Sequence, residues 1–192
     1  MTENAVRARP GRTTTDWRPY VYLGALLVLA LAILTWLLVR GSGENKAAVP
    51  AAGHGPVAVS ETQLRALAKT VHHPVYWAGA KKGTYELTRT TDGRIYIRYL
   101  PSTDKVGDRR PDYLTVGTYP TKTAYLGLTR AAHRKGSVAL KISGGGLLVM
   151  NTATPNSVYF AYPKQPYQVE VYSPSPQQAR AAVLGAQIKP IE

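Results

Sequence analysis

Between Tyr20 and Val39 the chain reads YVYLGALLVLALAILTWLLV, a run without a single charged residue. At about 1.5 Å per helical residue such a run spans about 30 Å, the thickness of a bilayer's hydrocarbon core. A soluble helix of this length would carry a polar stripe, and none is present. Trp17, Tyr20 and Tyr22 stand at one end and Trp36 near the other, as an interfacial aromatic belt requires. The pattern predicts a transmembrane helix over residues 20–39.

Basic residues in the short flanks set its direction. Arg7, Arg9, Arg12 and Arg18 precede the span, and Arg40 and Lys46 follow it. The positive-inside rule then places the polar, disordered tail of residues 1–19 in the cytoplasm and the C-terminal bulk outside. The apolar run exceeds the h-region of about 7–15 residues found in cleaved signal peptides, and the small residues of AAVPAAG begin well past its end. The expectation is an uncleaved signal anchor and a single-pass protein of the cell membrane.

Residues 40–59, rich in Gly, Ala and Pro, read as a flexible linker with a reach of about 25 Å. Periodicity begins at Ser60-Glu-Thr-Gln63, a capping box followed by Leu64, Leu67, Ala68 and Val71 at helical spacing. The chain has no cysteine, so the domain over residues 60–192 has neither disulfides nor thiolate metal sites and must rely on an apolar core.

Strands are predicted over Val75–Trp77, Tyr85–Thr90, Arg94–Leu100 and Tyr113–Tyr119. A second helix opens at Pro120-Thr121, runs through Ala124, Leu128 and Ala132, and ends at His133-Arg134-Lys135-Gly136. Four more strands follow: Val138–Ile142, Leu147–Thr152, Val158–Tyr162 and Tyr167–Tyr172. A last helix has Ser175 as N-cap, Pro176 at its first position, Gln178 completing a capping box and Gly185 as its stop. This order predicts an α+β class with mostly antiparallel strands and three helices. YLTVGTYPTKTA from Tyr113 and YQVEVYSPSPQQA from Tyr167 share a strand-to-helix corner. Two tandem helix-plus-four-strand units, 60–119 and 120–174, are one reading; shared capping rules alone are the other.

The hairpin TYELTRTTDGRIYIRYL decides which residues face outward. A two-residue loop at Asp92-Gly93 would set Leu87 against Arg98 and mismatch both faces. A three-residue loop, Thr91-Asp92-Gly93, sets Leu87 opposite Ile97, Tyr85 opposite Tyr99 and Glu86 opposite Arg98. The second register is expected. It leaves Arg94, Tyr96 and Arg98 in one outer row, the candidate ligand-binding residues, unless a helix covers that face.

The segments HPVYWAG, TYELTRT, GRIYIRYLP, YLTVGTYP and YQVEVYSPSP resemble those of single-pass membrane proteins of actinomycetes that have no assigned function. The likeness covers most of His73 to Pro190. It implies membrane anchoring and carries no chemistry.

Catalytic motifs are wanting. His72 and His73 are adjacent and cannot both face one ion from a regular helix; His133 would have to join them in space. No GxSxG occurs, and Gly144-Gly145-Gly146 leads into a strand rather than a helix, so it reads as a hairpin turn and not a phosphate cradle. Asp104, Asp108 and Asp112 sit in a mixed-charge loop, STDKVGDRRPD, whose carboxylates would serve the rival reading of an envelope hydrolase. No catalytic residue, cofactor or metal ligand is assigned.

Surface charge is more informative. The formal net charge is +13, and the part from Ser60 onward holds 18 basic against 8 acidic residues. Arginines interleave with tyrosines, a pairing suited to anionic partners. With the domain outside the cell, anionic wall polymer, lipid headgroups or another envelope protein fit better than nucleic acid. The sequence thus points to a tethered extracytoplasmic interaction module rather than an enzyme.

Overall fold

The computed structural model describes residues 48–192. The tail of residues 1–19 and the apolar span 20–39 lie outside them, as does the linker up to residue 47. Among the described residues no helix is long and apolar enough to cross a membrane.

The fold is α+β. Strands β1 (Val57–Val59), β3 (Thr84–Arg89), β4 (Ile95–Leu100), β5 (Thr115–Pro120), β6 (Ser137–Ile142), β7 (Gly146–Asn151), β8 (Thr154–Ala161) and β9 (Tyr167–Tyr172) form one sheet. Its order is β1-β3-β4-β5-β9-β8-β7-β6, and every pairing is antiparallel. Two residues of β2 (Tyr76–Trp77) pair separately with β10 (Lys189–Pro190). The helices are α1 (Glu61–Thr70), α2 (Ala124–Ala132) and α3 (Pro176–Leu184).

The β3–β4 hairpin has the three-residue loop. Leu87 faces Ile97, Tyr85 faces Tyr99 and Glu86 faces Arg98. The Gly93 N–H donates to the Thr90 carbonyl (3.1 Å), and Gly93 takes φ +86°, a conformation L side chains resist.

One face of the sheet is deeply covered. Leu64 and Leu67 of α1, at 0 % exposure, pack with Val59, Leu87, Ile95 and Ile97. Ala179, Ala182 and Val183 of α3 pack with Val116, Leu148, Val158, Phe160, Val169 and Val171, and Tyr76 of β2 joins them edge-on to Phe160. Among the described residues the opposite, outer face is covered by a helix only at one end. There Ala124 and Leu128 of α2 lie against Val149 and Ala161 of β7 and β8. Among the described residues no helix packs on the outer side of β3, β4 and β5.

The two look-alike corners meet directly, since β5 and β9 pair from Thr115↔Tyr172 to Pro120↔Tyr167. Equivalent positions nevertheless face opposite ways. Val116 points into the core, whereas Glu170, fifty-four residues on, points to the outer face with Tyr119. The chain accordingly leaves β5 for the outer face as α2 and leaves β9 for the inner face as α3.

Several boundaries differ from expectation. The domain begins before Ser60: β1 pairs with β3, the Gly53 N–H donates to the Arg89 carbonyl (2.9 Å), and the Arg89 side chain reaches the Pro50 carbonyl (2.6 Å). The end of the predicted linker is therefore an edge strand and its approach, short enough to escape a periodicity test. The second helix starts at Ala124 because the Thr121 N–H is taken by the Pro166 carbonyl (2.7 Å), which prolongs β5 through Pro120. The box at Ser60 forms on both sides. At Ser175 only half forms, with Ser175 Oγ accepting from the Gln178 N–H while Gln178 Oε1 accepts from Ser173 Oγ.

Candidate functional site

The uncovered half of the outer face is polar and built from alternate residues of five strands. Glu86 and Thr88 come from β3, Tyr96 and Arg98 from β4, Thr115, Gly117 and Tyr119 from β5, Glu170 from β9, and Ser157 and Tyr159 from β8. Two polar clusters organise it.

The first secures the β4–β5 connection. Glu86 is 1 % exposed. Its Oε1 accepts from Arg98 Nη1 (2.7 Å) and its Oε2 from the Gly107 N–H (2.6 Å). Arg98 Nη2 donates in turn to the Arg110 carbonyl (3.1 Å), and its guanidinium lies 5.0 Å from the centre of the Tyr113 ring. The Tyr172 hydroxyl donates to the Pro111 carbonyl (2.7 Å). A long polar loop is thereby fixed against the sheet, and a buried carboxylate has its charge and lone pairs matched.

The second cluster surrounds Glu170. Its carboxylate accepts from the hydroxyls of Ser157 (2.7 Å), Tyr159 (2.9 Å) and Tyr119. Tyr119 reaches across the sheet because Gly117 lies between Tyr96 and Glu170 on neighbouring strands. A Cβ at Gly117 would stand 2.8 Å from the Tyr119 hydroxyl. Burial, followed by the Glu170 carboxylate, pushes the Tyr159 phenol up to about 12 and Tyr119 well above the usual tyrosine range. Tyr96 stacks edge-on against Tyr119, with ring centres 5.5 Å apart.

The predicted row is assembled on this face, but its members differ in availability. Arg98 is spent on Glu86 and Arg110. Arg94 is half exposed and ion-paired with Asp92 (2.9 Å), its guanidinium 6.0 Å from the Tyr119 ring centre. Tyr96 borders an open groove of about 440 Å³ with Glu86, Thr88, Arg98, Asp108, Arg109 and Thr115. A second groove of about 250 Å³, lined by Arg98, Arg109, Arg110, Tyr113, Thr115 and Tyr172, adjoins it. Arg109 borders both, is exposed, and has no carboxylate partner among the described residues.

The loop aspartates are engaged in the loop itself. Asp108 accepts from Arg110 and from the Tyr113 hydroxyl (2.9 Å), and these bonds, the Arg110 guanidinium first, hold its carboxyl well below the usual range. Asp104 is lowered by the Ser102 hydroxyl and then Lys105, and Asp112 lies 3.6 Å from Arg110. Asp104 and Asp108 thus act as acceptors within the loop, in surroundings opposite to those that raise a general acid's pKa. His133 Nδ1 is 2.8 Å from the Thr129 carbonyl and His73 Nδ1 3.0 Å from that of Pro74. Among the described residues no group of three or more His, Asp or Glu is placed to hold a metal ion.

Sequence reasoning missed Arg109 and the Glu170 cluster. Strict alternation in YQVEVY does put Glu170 on the polar side. Its hydroxyl partners come from β5 and β8, a neighbourhood only the strand order creates.

No protein-family model, curated protein or solved structure matches the chain.

Proposed function

We propose that the chain is a membrane-tethered interaction module, anchored by residues 20–39 with its folded domain outside the cell, that holds an anionic envelope component or an acidic partner in the groove beside Arg109. Arg109 carries this proposal: an exposed guanidinium bordering two grooves, one lined also by Tyr96 and the other by Tyr113, with no carboxylate partner among the described residues. Such a planar, weakly hydrated cation is suited to phosphate or carboxylate oxygens.

The wider charge balance supports it. Of the 18 basic side chains from Ser60 onward, only Arg65, Arg94, Arg98, Lys105 and Arg110 are in ion pairs among the described residues. The excess raises the local concentration of anions at any salt where the Debye length is about 8–10 Å or more. In this scheme Tyr96 contributes a flat wall, Arg98 is a structural post, and Arg94 is a secondary contact reached once Asp92 is displaced. The test is titration of the full-length chain in neutral detergent micelles with purified anionic wall polymer, against Arg109→Glu.

A further inference from the structure

Among the described residues the sheet has two unpaired edges, and they are built differently. At one, β1 has three residues, and the chain before it is tied to Arg89. At the other, β6 runs six residues from Ser137 to Ile142 with β7 on one side only. The Thr152 N–H donates to the Gly136 carbonyl (2.8 Å). Antiparallel ladders alternate, so Val138, Leu140 and Ile142 exchange bonds with Met150, Leu148 and Gly146. The N–H and C=O groups of Ala139 and Lys141 therefore point away from β7, along the open edge.

The side chains on this strand are unevenly covered. Val138, Leu140 and Ile142, on the α3 side, are only half-buried, although Leu148 opposite Leu140 is 0 % exposed. Ile142 also borders a notch of about 170 Å³ with Phe160, Tyr162, Val183 and Leu184, and Leu184 is 47 % exposed. Ala139 and Lys141, on the other side, are exposed.

Charge decides what fits. From Tyr113 to Val169 the chain contains no acidic residue, yet it holds Lys122, Arg130, Arg134, Lys135, Lys141 and Lys164. None of these is in an ion pair among the described residues. A second copy pairing through β6 would bring two such cationic halves together. An acidic strand would do the reverse.

We infer that β6 is an acceptor edge for an extended acidic segment of a partner protein, which adds to the sheet as a further antiparallel strand. Its apolar residues, at alternate positions, lie beside Val138, Leu140 and the Ile142 notch, and its Asp or Glu residues lie between them on the Lys141 side. This edge is at the far end of the sheet from the Arg109 groove and does not rest on it.

The probe is a short fluorescent peptide alternating glutamate with valine, titrated against the full-length chain in neutral detergent micelles and followed by anisotropy. Amide exchange at Ala139 and Lys141 is measured in parallel. Saturable binding is expected, with exchange at both amides slowed about tenfold or more. Proline is tolerated at an edge position whose N–H is outside the ladder, so Ala139→Pro should weaken binding about tenfold or more while the fold persists. Lys141→Glu should weaken it about fivefold, steeply so at low salt, and Arg109→Glu should leave it unchanged. Should Ala139→Pro not fold, Lys141→Glu and the exchange data decide. The inference is overturned if the alternating peptide does not bind, or if a peptide with its glutamates and valines in separate blocks binds equally well. It is overturned too if phosphatidylglycerol vesicles displace the peptide and exchange at Ala139 and Lys141 never slows, which would make this half a lipid-facing cationic surface.

Discussion

The guanidinium of Arg98 and the carboxylate of Glu86 face each other across β4 and β3 at 2.7 Å, with Glu86 1 % exposed and Arg98 in contact with the β4–β5 loop. The pair joins sheet to loop, because the other carboxylate oxygen holds Gly107 and the other guanidinium nitrogen holds the Arg110 carbonyl. Removing one partner strands the other. Arg98→Ala should lower the free energy of unfolding by about 3–5 kcal/mol, the usual cost of leaving a buried charge alone. Chemical denaturation measures this, and Glu86→Gln in the Arg98→Ala background should restore part of the loss.

The hairpin register gives a second contrast. Leu87 is 1 % exposed against Ile97 and the α1 side chains, whereas Thr88 borders the groove. Leu87→Asp should abolish cooperative unfolding, because an unpaired buried carboxylate costs several kcal/mol, roughly the whole margin of a small domain. Thr88→Asp should fold and show a near-parental denaturation midpoint.

The tyrosines around Glu170 make an alkaline prediction. Burial first, and the Glu170 carboxylate next, raise Tyr119 and Tyr159 above the ordinary phenol value, Tyr159 to about 12. A raised folded value means the contribution to stability is complete below the unfolded pKa of about 10 and is lost as pH rises through the folded values. Absorbance titration at the phenolate band should show these two ionising late, together with unfolding. Glu170→Gln should bring Tyr159 to lower pH. Gly117→Val should perturb the same titration by displacing the Tyr119 hydroxyl, with Tyr119, Tyr159 and Glu170 themselves left in the sequence.

How much of this was legible beforehand depends on the range of the interaction. The Thr91-Asp92-Gly93 loop and the Ser60 cap are local, and alternation or spacing specifies them. The β5–β9 pairing brings together segments about fifty residues apart, and nothing in either strand names its partner. For that reason Arg94, Tyr96 and Arg98 could be placed on one face, while the neighbours that tie up Arg98 through Arg110 could not. Val57–Val59 escaped notice because three residues are too few to show a period. Gln178 misled because the Ser175 N–H donates to Ser173 Oγ (3.2 Å), whose hydroxyl donates in turn to Gln178 Oε1.

The anchoring proposal is checked by topology. A reporter active only outside the cytoplasm, fused after Glu192, should work, and one active only in the cytoplasm should not. The purified protein should begin at Met1 or Thr2. A mature terminus between Gly41 and Gly55 would instead make it a secreted protein.

The most direct measurement compares two charge reversals of equal size. The full-length chain in neutral detergent micelles is titrated with purified anionic wall polymer at rising salt, as the parent, as Arg109→Glu and as Arg180→Glu on the exposed side of α3. If the groove is the site, affinity falls steeply with salt. Arg109→Glu should weaken it by about tenfold or more at low salt, where Arg180→Glu changes it by about twofold, both keeping the parental melting temperature. Equal losses in the two variants, or a parent that binds no polymer, would contradict a site at Arg109.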